Sequence, residues 1–126
     1  MLYDLETQYT ELLQKLASLE EGNEQTYTIV CYCAAWCRTC QAFEKQFQSL
    51  ASQHAEHIWV WVDVEEHEEL LIDEDLENFP TVLVQNKKGS VFYGPLPPFS
   101  EHIERVLKQA QSQANYLTDI PSFEQL

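Results

Sequence analysis

The chain has 126 residues, 44% of them hydrophobic and 12% aromatic, enough for one ordinary domain with a core of its own and too few for two. Twenty-one acids stand against seven Lys and Arg, a formal charge of −14, so a phosphate backbone or an anionic lipid surface would be repelled, which argues against nucleic-acid and membrane partners. The start, Met1-Leu2-Tyr3-Asp4-Leu5-Glu6, has no basic stretch leading into an apolar run, and no apolar run reaches membrane-spanning length, so the reading is cytoplasmic.

From Leu2 to Leu19 the apolar positions Leu2, Leu5, Tyr9, Leu12, Leu13, Leu16 and Leu19 draw one stripe on a helix, and Gly22-Asn23 ends it. The stripe is too short for a coiled-coil seam, so the chain is read as a monomer whose first helix packs on its own sheet. Tyr27 to Cys33 is a run of β-branched and aromatic residues without polar alternation, the pattern of a strand covered on both faces. After a turn, Phe43, Phe47, Leu50 and Ala51 recur at helical spacing to about His54, and Ile58 to Val64 is a second buried-strand run. Nine acids lie between Asp63 and Glu77 without Lys or Arg, and Leu70, Leu71 and Leu76 punctuate this stretch as an acidic, solvated helix. Thr81 to Val84 and Ser90 to Tyr93 read as an antiparallel pair joined across Asn86-Lys87-Lys88-Gly89. Ser100 is the expected N-cap of a last helix carrying Ile103, Val106, Leu107 and Ala110. The expected domain covers residues 1–110. Residues 111–126, with Pro121 barring a helix, form a tail for which an ordered, a flexible and a docking state all stay open.

All four cysteines fall between Cys31 and Cys40, which marks a local chemical site rather than a disulfide-stapled scaffold. A Cys-x-x-Cys leaving a buried strand and opening a helix puts its first cysteine, Cys37, where unpaired backbone N–H groups and the helix dipole favour a thiolate. A second thiol three residues on, Cys40, then resolves the mixed disulfide that the thiolate forms. Zinc sites use the same spacing, so the context has to decide. Trp36 precedes the pair, a strand feeds it, a helix follows it, and Phe79-Pro80-Thr81 opens a strand about forty residues later.

Ala34-Ala35-Trp36-Cys37-Arg38-Thr39-Cys40 resembles the Trp-Cys-Gly-Pro-Cys segment of the thioredoxin family, and Phe79-Pro80-Thr81-Val82-Leu83-Val84 resembles that family's cis-proline strand. Gly89 and Gly94 are similar to its hairpin glycine and to the glycine before its last helix. The resemblance covers residues 1 to 110. It implies an α/β thioredoxin fold, a single mixed sheet of about four strands flanked by helices and lacking the family's first strand, because the helical stripe starts at Leu2. It implies a thiol–disulfide oxidoreductase active in cell redox homeostasis, with Cys37 as nucleophile, Cys40 as resolving thiol and a redox-active Cys37–Cys40 disulfide in place of any cofactor. Protein disulfides are the implied substrates, and a reductase or small thiol the recycling partner. The same resemblance makes Pro80 cis, sets Trp36, Arg38, Thr39, Phe79, Pro80 and Gly94 around the substrate, and leaves the Phe79 backbone free to pair with an extended chain.

Members of the family carry a buried Asp where this chain has Cys31, six residues before Cys37, and the lysine that accompanies it is replaced by Trp59. Slower chemistry is expected. Arg38-Thr39 replaces Gly-Pro, so the reduction potential is not carried over. Strand alternation sets Cys31 and Cys33 on one face, the one expected beneath the active turn, as small buried hydrophobes or as auxiliary thiols able to exchange with the pair. Two other readings stand beside the enzyme: a metal module using Cys31, Cys33, Cys37 and Cys40, and a thioredoxin-like adaptor that binds through its acidic face or tail.

Overall fold

The computed structural model describes residues 2–72 and 78–126. Strand β1 (Leu2–Tyr3) leads into helix α1 (Leu5–Ser18), and strand β2 (Thr28–Cys33) into helix α2 (Arg38–Gln53). Strand β3 (Ile58–Asp63) follows, then a single 3-10 turn over Glu68–Leu70, strands β4 (Thr81–Gln85) and β5 (Ser90–Pro95), helix α3 (Ser100–Ser112) and a last 3-10 turn, Phe123–Gln125. The strands form one five-stranded sheet in the order β1-β3-β2-β4-β5. β3 runs parallel to both β1 and β2, whereas β4 is antiparallel to β2 and to β5.

Central β2 is buried at every position, as its unbroken Thr-Ile-Val-Cys-Tyr-Cys run requires of a strand covered on both sides. Its alternate residues feed two cores. Ile29, Cys31 and Cys33 pack with Phe43, Phe47 and Leu50 of α2 and Ile103 and Leu107 of α3. Val30 and Tyr32 face the other way, toward Leu5, Leu12 and Leu16 of α1, Leu70 and Phe123. The result is a helix–sheet–helix sandwich in which α2 and α3 share one face and α1 takes the other.

Three expectations change. A first strand is present: Leu2 and Tyr3 pair with Trp59 and Val60, and the helix begins only after Asp4, whose carboxylate accepts from the Glu6 N–H at 3.0 Å and caps it. The sheet therefore has five strands rather than about four. The acidic stretch makes one 3-10 turn at Glu68–Leu70 rather than a helix among the described residues, and Leu76 lies outside them. Finally, Ser100 is the first residue of α3 and not its cap; the Gln46 side chain of α2 accepts from the Ser100 N–H at 2.9 Å, filling the cap's role from a neighbouring helix.

The tail returns to the body. Phe123 is almost wholly enclosed in the α1-side core. Buried Gln85 of β4 donates to the Ser90 hydroxyl and the Pro121 carbonyl and accepts from the Phe123 N–H at 2.9 Å. Lys87 binds both the Leu16 carbonyl at the end of α1 and the Glu124 carboxylate, the latter at 3.0 Å.

Candidate active site at the start of helix α2

Where β2 ends, the chain turns through Ala34, Ala35 and Trp36 and enters α2 with Cys37 as N-cap. The turn is held by backbone bonds: the Cys37 N–H donates to the Ala34 carbonyl and the Gln41 N–H to the Cys37 carbonyl, both at 3.0 Å. The Gln41 side chain closes it further by donating to the Ala35 carbonyl at 2.6 Å. Extended backbone at Cys37 (φ −83°, ψ 115°) and the absence of a side-chain capping bond leave its sulfur uncommitted at a helix N-terminus, a position whose unpaired N–H groups favour an anion. Cys37 is half-buried against the α2-side core, and Arg38 and Thr39 are exposed on the first helical turn.

Cys40 points inward and is almost fully enclosed. Its sulfur is bonded to Cys33 at the end of β2, with the two Cα atoms 5.8 Å apart. The disulfide expected between Cys37 and Cys40 is therefore not the one the structure contains; Cys37 is a free thiol. The reason is positional. Cys33 is the last residue of a strand that runs directly under the first turn of α2, and its side chain lies on the α2 face with Cys40, while the N-cap residue sits at the rim. Cys31, one pleat back on the same face, is also free, with its sulfur 3.9 Å from that of Cys33. Burial, with a smaller contribution from the charge of Glu44, pushes the Cys31 thiol well above the usual thiol range, so it stays protonated.

Around this turn lies an apolar rim. Trp36 is 66% exposed and meets Phe79 edge-on at 6.0 Å. The Phe79–Pro80 peptide is cis, Pro80 is buried, and its carbonyl accepts from the Leu96 N–H at 3.1 Å. Gly94 sits in β5 opposite Val82, two residues along β4 from Pro80. Among the described residues no group of three His, Cys, Asp or Glu is arranged to hold a metal ion; of the four cysteines, Cys33 and Cys40 are bonded to each other and Cys31 and Cys37 are free thiols.

A family model described as Thioredoxin matches residues 5–108. The chain belongs to the thioredoxin family. Members of this family are thiol–disulfide oxidoreductases. Relatives include an Arabidopsis thaliana protein named thioredoxin H10, 38% identical over 64 residues that span 51% of this chain and 42% of that protein. A Mycoplasma genitalium thioredoxin is 29% identical over 73 residues, 57% of this chain and 72% of its own length. Among solved structures, thioredoxin from Nicotiana alata superposes with a TM-score of 0.65 over 91% of this chain and 92% of its own, at 15% identity. Fasciola hepatica thioredoxin gives 0.64 over 81% and 90%, at 18% identity. These two likenesses speak for the fold. Among the described residues no helix is long and apolar enough to cross a membrane.

Proposed function

We propose that this chain exchanges electrons with protein disulfides in cytoplasmic redox homeostasis, with Cys37 as nucleophile and Cys40 as resolving thiol. The observation that carries the reading is the contrast between the two sulfurs: Cys37 is half-exposed at a helix N-terminus, while Cys40, three residues on, is enclosed beneath it. In the reduced protein the Cys37 thiolate attacks a substrate disulfide, one substrate sulfur leaves as a thiolate, and a mixed disulfide joins Cys37 to the other. Attack of the Cys40 sulfur on that of Cys37 then expels the second substrate thiolate and leaves the protein oxidised by two electrons. No bound cofactor is needed, because the thiols are the redox group. A reductase or a small thiol returns the electrons. Trp36, Arg38 and Thr39 border the reacting sulfur, and the Phe79 backbone with Pro80 and Gly94 supplies an edge on which an extended substrate segment can lie. The working unit is the monomeric chain, a domain of residues 1–110 together with the tail 111–126 that packs on it.

The test is reduction of insulin disulfides with dithiothreitol as electron source. Cys37→Ser is expected to bring turnover down to the uncatalysed level, and Cys40→Ser to accumulate a mixed disulfide at Cys37 visible as a mass increase. Full turnover by Cys37→Ser would overturn the assignment.

A further inference from the structure

The Cys33 and Cys40 sulfurs are joined where β2 ends, and Cys37, the N-cap of α2 three residues before Cys40, is left as a free thiol. We propose that Cys33 is a third redox residue, taking the disulfide from the Cys37–Cys40 pair onto Cys33–Cys40, so that the oxidised protein stores its disulfide inside and keeps a free thiol at the surface. This rests on the reading of Cys37 and Cys40 above.

The placement supports each step. Cys33 and Cys40 belong to neighbouring elements of one core, are each 1% exposed, and have Cα atoms 5.8 Å apart, within the range that a disulfide spans without backbone movement. Once substrate has been reduced, the bond joins Cys37 to Cys40. The Cys33 sulfur then attacks the Cys40 sulfur, the Cys33–Cys40 bond forms, the Cys37–Cys40 bond breaks, and the proton given up by Cys33 is taken by the departing Cys37 sulfur. No electrons enter or leave in this step; a disulfide and a thiol change places. Cys31 lies 3.9 Å from Cys33, one pleat back along β2 and farther from the start of α2.

The consequence is a gate. Solvent thiols do not reach two sulfurs that are each 1% exposed, so electrons return to the stored disulfide only when Cys37 attacks Cys40 and brings the bond back to the surface. Cys37 thus serves both directions, and the oxidised protein presents a nucleophile where a two-cysteine enzyme presents a disulfide.

Disulfide mapping tests this without any protein substrate. The reduced full chain is oxidised with a stoichiometric amount of diamide, quenched with acid, alkylated with N-ethylmaleimide, unfolded and digested. Cleavage after Trp36 and after Arg38 puts Cys33, Cys37 and Cys40 on separate peptides. The expected product has Cys37 alkylated and Cys33 joined to Cys40; a product mainly joined Cys37–Cys40 with Cys33 alkylated overturns the proposal. In Cys33→Ala, a substitution by a small apolar residue in an enclosed site, alkylation of oxidised Cys37 is expected to be lost, and its persistence counts against the proposal. Oxidised Cys37→Ser is expected to resist reduced glutathione under conditions that reduce the wild type, whereas equal rates would refute the gate. Failure of insulin turnover alongside a Cys33–Cys40 product would instead remove the proposed function and leave the internal bond in place.

Discussion

Cys31 shows how one side chain bears on a reaction it does not carry out. Its sulfur lies 3.9 Å from Cys33 on the face covered by α2, enclosed, protonated and without any carboxylate in the position where the family's resemblance calls for one. An acid there would accept and return the proton of the enclosed thiols, and positioned proton transfer is worth about 100-fold or more in favourable cases. Cys31→Asp is therefore expected to raise the rate of insulin reduction by about tenfold, and equal rates in the two proteins would show that no proton relay is missing. Trp36 acts differently, since it is 66% exposed and touches Phe79 by its edge. Trp36→Ala should leave the unfolding midpoint within about 0.5 kcal/mol of wild type. It should raise KM for insulin several-fold while the rate with oxidised glutathione, too small to span the rim, stays unchanged; an equal loss on both substrates would put Trp36 in the chemistry instead of the docking.

At the scale of elements, the tail is the segment whose removal the structure makes expensive. Phe123 fills a place in the α1-side core, and the tail supplies two of the three hydrogen bonds of the buried Gln85 amide. Phe123→Ala should cost about 3–5 kcal/mol, a large share of the roughly 5–15 kcal/mol by which a domain is stable, read as a lower urea midpoint; a change below about 1 kcal/mol would mean that the tail is not anchored. Periodicity could not reveal this, because Ile120, Phe123 and Leu126 belong to no helix or strand pattern, and the partner that needs them, Gln85, reads as an ordinary polar strand residue. The longer elements were legible because their burial is periodic: β2, α2, β3 and α3 lie within a residue or two of where their apolar spacing put them. The exceptions have local causes. Leu2 continues the helical stripe of α1 by spacing, but Asp4 caps the helix and sends Leu2 and Tyr3 to the edge of the sheet. Ser100 carries the right side chain for a cap, but Gln46 reaches across from α2 first.

The whole molecule places chemistry at one seam, where β2 passes under α2, and the part of the site that rests on alternation was legible for the same reason as the fold. Two-residue periodicity set Cys31 and Cys33 on one face, the family resemblance put that face beneath the active turn, and the α2-side core contains them both. Which sulfur bonds Cys40 was not legible, because the choice depends on the depth of α2 over the strand end, a tertiary distance that no spacing encodes. A second seam, at the far end of α2, ties three elements together through His57. Its ring is buried, its Nδ1 accepts from the Tyr27 N–H at 3.1 Å just before β2, and its Nε2 lies 3.5 Å from the Gln111 amide of α3, while the His57 backbone N–H donates to the His54 carbonyl. Burial lowers the pKa of His57 below the usual histidine value; nearby Glu56 opposes the shift and His54 adds to it. Protonation also places a hydrogen on the nitrogen that must accept from Tyr27. The unfolded chain therefore binds the proton at higher pH than the folded one, so the stability that neutral His57 supplies is complete above a pH of about 6.5 and is lost as pH falls below that, through the lowered folded value. Unfolding midpoints in urea between pH 7.5 and pH 5, above the range where exposed carboxylates titrate, should fall for the wild type. His57→Gln, which retains an acceptor but cannot take up a proton, should flatten that slope while lowering the midpoint at pH 7.5; parallel slopes in the two proteins would assign the acid loss to other groups.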